Sequence, residues 1–362
     1  MLSESGVISE ATTPEWKPFG RHCGLKPSTI EPKEPSMAET LSLDAMYERV
    51  RKVIPPLEWE IHRRPIERIL QLKKERNAVI LAHTYQAPEI YHTIADVRGD
   101  SLQLAKEATA VEADIIVMCG VKFMAETTKI LNPRKTVLLP DLRAGCSMAN
   151  SITAADVVEL RRKHPGLPVV TYVNTNVDVK AETDICCTSS NAVQVVRSLG
   201  VKEAIFLPDP YLGRWVQSQL PDVKLVLWDG PCEVHVKFTA ADIRELRQRY
   251  PGIEVLAHPE CPEEVLAEAD YAGSTSQMAS YVGKSKLKKL ALITECTMAD
   301  NVMVQYPDVD VVRPCNLCPH MARITLDGVV RSLETLEHQI EIDEEMRIRA
   351  KRSLDRMMEV PL

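Results

Sequence analysis

Cys146, Cys232 and Cys318 are spaced 86 residues apart, an interval too long for a local motif and too regular for unrelated sites. The same interval carries Tyr172 and Asn174 onto His258 and Glu260, and Ser189 onto Thr275. An earlier copy has slightly longer gaps: His83 and Tyr85 lie 89 residues before Tyr172 and Asn174, and Ser101 lies 88 before Ser189. A period of this length marks a repeated structural unit. Three copies, each ending in a cysteine, imply a pseudo-threefold body with three thiolates meeting near its axis.

Each unit opens with an apolar run ending in a polar dyad: AVILAHTY (78–85), PVVTYVN (168–174) and IEVLAHPE (253–260). An Asp follows with a hydroxyl five residues later, as Asp96/Ser101, Asp184/Ser189 and Asp270/Thr275, and then a helix-like segment. Two further apolar runs complete the unit, the last ending near the cysteine. Short β-rich runs separated by helical stretches predict βαβαβ connectivity with a parallel sheet buried on both faces. The fold class is therefore α/β: three pseudo-threefold-related αβα three-layer units around a central active site. Dyads and cysteines fall just past the carboxyl ends of strands, the edge where open α/β sheets bind ligands.

The units are expected over residues 76–150, 151–236 and 237–320. Helices at 41–75 precede them, a helical segment at 321–362 follows, with one charged helix from about 329 to 358, and residues 1–40 read as a disordered tail without periodicity. A chain of 362 residues, 45% of them hydrophobic, can bury several small cores. No apolar stretch is long enough to span a membrane, and the first 20 residues resemble neither a signal nor a transit peptide, so the expected location is the cytoplasm. A net charge of −7 argues against nucleic acid or an anionic membrane as partner.

Ten cysteines in such a chain point to metal or redox chemistry rather than disulfides. Cys119 ends a buried strand, where a cysteine behaves as a small hydrophobe. Cys186 and Cys187 are adjacent and point apart, Cys261 follows a dyad, and Cys296 has no counterpart in the other units. Cys315 and Cys318 form a lone C-x-x-C, poor support for a zinc ribbon. Cys315 reads as inert or redox-regulatory, with a fourth-ligand role or a bond to Cys318 as alternatives. Only Cys146, Cys232 and Cys318 occupy equivalent places; the plainer alternative is three buried cysteines aligned by ancestry. Three thiolates leave one iron of a 4Fe–4S cluster open as a Lewis acid, which favours dehydration over electron transfer.

Ser101, Ser189 and Thr275 stand where helices begin, and taken singly each reads as an N-cap. Together, helix N-termini aimed at one cavity would suit phosphate and carboxylates. His258 beside Glu260 is placed for proton transfer.

HTYQAPEI (83–90), GDSLQLA (99–105), FMAETTKILNP (123–133), LLPDLRAGCSMA (138–149), TYVNT (171–175), CTSSNAV (187–193), CEVHVKF (232–238), HPECP (258–262), GSTSQM (273–278) and CPHM (318–321) resemble the quinolinate synthase family jointly over about residues 76–340. The resemblance implies condensation of iminoaspartate with dihydroxyacetone phosphate, releasing phosphate and two waters to give quinolinate for NAD synthesis. It implies one 4Fe–4S cluster on Cys146, Cys232 and Cys318, and functional coupling to an aspartate-oxidising enzyme. Its substrate groups match His83, Ser101, Tyr172, Val173, Asn174, Ser189, His258, Pro259, Glu260 and Thr275. Tyr85, His235, Tyr172, His258 and Glu260 match positions near the reacting centre. Arg98 departs from the family pattern and is expected to alter the phosphate end of the pocket. Another 4Fe–4S (de)hydratase acting on a small anion, or a redox-sensing iron–sulfur protein, remain the alternatives from the residues alone.

Overall fold

The computed structural model describes residues 41–361; the tail expected over residues 1–40 lies outside them. Twelve strands form three separate four-stranded sheets, every pairing parallel. The first contains β1 (Ala78–His83), β2 (Val97–Gly99), β3 (Ile115–Cys119) and β4 (Thr136–Leu138). The second contains β5 (Val169–Tyr172), β6 (Ile185–Cys187), β7 (Glu203–Leu207) and β8 (Lys224–Leu227). The third contains β9 (Glu254–Ala257), β10 (Tyr271–Ala272), β11 (Lys289–Ile293) and β12 (Asp310–Val312). Spatial order repeats as β2-β1-β3-β4, β6-β5-β7-β8 and β10-β9-β11-β12. Helices flank each sheet, which makes three αβα units of one topology. The pattern of three apolar runs per unit predicts three strands; each sheet has a fourth, the two- or three-residue edge strand before the hydroxyl. Segments that short carry no readable alternation.

The repeated Asp has a structural task. Asp96, Asp184 and Asp270 each accept the backbone N–H of the opening strand, from Ile80 (2.8 Å), Val169 (2.7 Å) and Val255 (2.8 Å). Each also binds a cation from the preceding helix: Lys73 at 2.7 Å, Arg161 at 2.8 Å and Arg247 at 2.8 Å. The clamp ties the helix to the end of the sheet opposite the site and gives a partner to an N–H within the first three residues of each opening strand.

Helices Ala154–Lys163 and Ala240–Arg249 begin with matching capping boxes, Thr153 with Asp156 and Thr239 with Asp242. The single C-terminal helix expected from 329 to 358 is instead two, Leu326–Thr335 and Glu344–Glu359. The first ends at Leu336, whose left-handed φ of 56° cannot continue a helix. The second packs against Val177–Ala181 and β6, so it completes the outer layer of the middle unit. No helix among the described residues is long and apolar enough to cross a membrane.

Candidate active site

The carboxyl edges of the three sheets open on one central cavity holding about 700 Å³ of empty space, its mouth included. Cys146, Cys232 and Cys318 all line it, as do His83, Tyr85, Ser101, Tyr172, Asn174, Ser189, His235, His258, Glu260 and Thr275. Val173 and Pro259, expected to touch substrate, are absent from the lining; they flank residues that are present. Arg98 is also absent, its guanidinium lying over the Tyr91 ring at 5.9 Å.

Local structure around the three cysteines repeats. Each starts a short helical turn, closed by Asn150 N–H to Cys146 O, Val236 N–H to Cys232 O and Ala322 N–H to Cys318 O. Backbone N–H groups two and three residues ahead reach each sulfur: Met148 and Ala149, Val234 and His235, His320 and Met321. Burial pushes the thiols up, Cys146 to about 12, Cys318 to about 11 and Cys232 well above its usual range. Paired N–H···S contacts in all three units suit thiolate ligands of a metal centre, which displace their protons on binding. Cys232 Sγ, a His235 nitrogen and a Glu260 oxygen also lie within 4.8 Å of one another, a group able to hold a metal ion.

The hydroxyls are not the caps. Asp100 caps the helix Ser101–Ala110, and Ser274 caps Thr275–Lys284 through a capping box with Gln277. Ser101 and Thr275 therefore face the cavity with their side chains free of that duty. Ser189 precedes the helix Ala192–Ser198 by three residues and contacts the Tyr172 phenol.

A continuous polar chain crosses the cavity wall. Tyr85 Oη lies 2.6 Å from Thr294 Oγ1, and Thr294 Oγ1 lies 3.0 Å from His235 Nε2. His235 Nδ1 is 2.8 Å from Glu260 Oε2, and Tyr172 Oη donates to Glu260 Oε1 at 2.6 Å. Cys232 Sγ stands 3.2 Å from the same His235 nitrogen. Burial alone would raise Glu260, but the imidazoles of His258 and His235 and the hydrogen bonds from His235 and Tyr172 hold it below the ordinary carboxylate range. Beside an ionised Glu260, the neutral form of the His235 ring carries its proton on Nδ1; in that form Nε2 accepts from Thr294, and Thr294 in turn accepts from Tyr85. Burial raises both phenols well above their usual range, so each enters as a donor.

His83 and His258 are built alike. Nδ1 of each accepts a backbone N–H two residues on, from Tyr85 at 3.1 Å and Glu260 at 3.3 Å. Burial lowers His83 to about 4 and His258 to about 3, so both are neutral near pH 7. The remaining proton sits on Nε2, a neutral donor for the cavity.

Thr294 was not expected from sequence. It follows β11 directly and lies 86 residues after Pro208 and 174 after Gly120, so only the third copy offers a hydroxyl at that place. Its neighbour Glu295 was missed too: its Oε1 accepts the N–H of Cys318 at 3.2 Å and its Oε2 that of Thr297 at 2.9 Å. One disulfide, Cys296–Cys315, joins the same two segments, which corrects the expectation of none. It also removes Cys318 as the bonding partner of Cys315. Cys119, Cys186, Cys187 and Cys261 are free and buried. Because Glu295 already anchors the Cys318 loop, Cys315→Ser should retain metal content and turnover when handled without air. A metal-free variant, measured by iron analysis, would make Cys315 part of the centre.

Three parallel sheets feeding one thiol-lined cavity, with a Tyr–Thr–His–Glu chain in its wall, define an α/β enzyme whose cavity has side chains able to hold a metal ion. The family model for Quinolinate synthetase A protein matches residues 67–359. The chain belongs to this family. It is 58% identical over 314 residues to Quinolinate synthase 1 of Mesorhizobium japonicum, covering 87% of this chain and 97% of that protein. It is 54% identical over 333 residues to Quinolinate synthase 2 of the same organism, covering 92% and 100%. Quinolinate synthase of Agrobacterium fabrum is 54% identical over 327 residues, covering 90% and 94%.

Proposed function

We propose that this chain condenses iminoaspartate with dihydroxyacetone phosphate, forming quinolinate with loss of phosphate and two waters, in the synthesis of NAD. The observation that carries the reading is the chain from Tyr85 through Thr294 and His235 to Glu260, set in the cavity that collects the three repeated cysteines. In this reading Cys146, Cys232 and Cys318 hold a 4Fe–4S cluster, and their paired backbone donors fit that role. When bound, the cluster supplies a Lewis acid that makes a substrate hydroxyl a better leaving group.

The residues divide the remaining work. Nε2–H of His83 and of His258 donates to substrate carboxylate or carbonyl oxygens without adding charge. Ser101 and Thr275, with the N–H groups of the helices they begin, receive anionic groups. Tyr85 Oη exchanges a proton with the reacting carbon skeleton. Its own proton passes through Thr294 to Nε2 of His235, and the imidazolium so formed is stabilised by Glu260. Tyr172 holds the other Glu260 oxygen, which fixes the carboxylate plane against the imidazole. Burial excludes water that would hydrolyse the imine. Iminoaspartate is short-lived in water, which motivates functional coupling to an aspartate-oxidising enzyme.

The test is direct. Anaerobically reconstituted protein given both substrates should form quinolinate and phosphate in equal amounts. Cluster-loaded protein that forms neither, while hydrating or dehydrating another small acid, would move the assignment to a different iron–sulfur dehydratase.

A further inference from the structure

Lys180 is fully buried beneath the cavity wall, and its ammonium has no ion pair with a carboxylate among the described residues. A buried cation without such a partner is costly, so its contacts carry the information. Nζ donates to the carbonyl of Val173 at 2.8 Å and to that of Thr175. Its remaining side faces the Phe123 ring at 5.5 Å, and Phe123 lines the cavity. The two carbonyls flank Asn174. That residue also lines the cavity, and its Oδ1 is buried with no hydrogen-bond partner.

An unpartnered buried acceptor in a cavity wall calls for a donor from the ligand. Holding the backbone on both sides fixes the Cα–Cβ direction from which Asn174 Oδ1 reaches the cavity, and Lys180 holds both sides. Behind it, Val177 N–H donates to Glu126 at 3.0 Å, and Ser353 donates to the Lys180 carbonyl at 3.1 Å, which fixes the short helix Val177–Ala181.

We propose that Lys180 is a positioning residue: its clamp on the Val173 and Thr175 carbonyls aims Asn174 Oδ1 at an N–H or O–H of the substrate. The inference rests on the condensation proposed above and adds the group that sets this substrate contact. Lys180 acts through Asn174 and touches no substrate itself.

The test compares Lys180→Met, Asn174→Ala and the double variant, all cluster-loaded. Turnover by the parent checks the condensation; the comparison among variants checks Lys180. Lys180→Met should raise KM about tenfold or more with kcat within about threefold. Asn174→Ala should do the same, and the double variant should be no worse than Asn174→Ala. Lys180→Gln keeps an N–H donor group on a shorter, uncharged side chain, so it should fall between parent and Lys180→Met, and it decides the matter if Lys180→Met does not fold. Ser353→Ala disturbs the same helix without touching the ammonium and should keep the parent KM. The proposal is overturned if the two effects on KM multiply in the double variant. It is equally overturned if Lys180→Gln or Lys180→Met keeps the parent KM, or if Ser353→Ala raises KM as much as they do.

Discussion

Glu260→Gln should lower kcat by about 10³–10⁴-fold, while cluster absorbance and substrate KM stay close to the parent values. An amide in place of the carboxylate presents an N–H or a weaker acceptor to His235 Nδ1 and no longer stabilises an imidazolium. The imidazole can then settle with its proton on Nε2, where Thr294 must donate, and the path from Tyr85 is interrupted. Thr294→Val should reproduce most of the loss, because it removes the only hydroxyl between Tyr85 Oη and His235 Nε2. Ser101→Ala and Thr275→Ala should act mainly on KM, since the backbone donors of their helices survive. Steady-state kinetics on anaerobic protein separates the two groups. A Glu260→Gln enzyme that turns over like the parent would remove the chain from the mechanism.

Replacing any one of Cys146, Cys232 and Cys318 by Ser should abolish the iron–sulfur chromophore and all turnover. On the proposed reading the cluster already has one iron without a protein sulfur, and two remaining thiolates would not hold it. Cys119→Ala, Cys186→Ala, Cys187→Ala and Cys261→Ala should keep full iron content, because these buried thiols lie outside the cavity lining. Iron and sulfide analysis of anaerobically purified variants gives the readout. Loss of iron in Cys187→Ala with retention in Cys232→Ser would overturn the ligand assignment.

Much of the architecture was legible because it is written three times. A spacing of 86 residues that recurs at a cysteine, a dyad and a hydroxyl survives any uncertainty about where a helix starts. Buried parallel strands declare themselves as apolar runs, and chain direction puts their ends on one edge. Residues shared by the copies, such as His83 and His258, stand out by their interval alone. What recurs need not be part of the site, however. Asp96, Asp184 and Asp270 repeat as faithfully as the hydroxyls, yet they clamp the opposite end of each sheet. Capping likewise belongs to Asp100 and Ser274, one residue before the hydroxyls assigned to it, a register too fine for pattern alone.

The threefold repeat, the parallel α/β units, the cavity edge and the three equivalent cysteines are each a local pattern or a fixed interval along the chain, and so can be read from residue order. The single-copy partnerships exist only in three dimensions: Thr294 between Tyr85 and His235, Glu295 under Cys318, Cys296 bonded to Cys315, and Lys180 behind Asn174. Tyr85 and Thr294 are 209 positions apart and His235 and Thr294 are 59 apart, with no repeat to link them. Such contacts arise because the edges of three sheets meet at one cavity, which brings together side chains whose order in the chain holds no record of their distance in space.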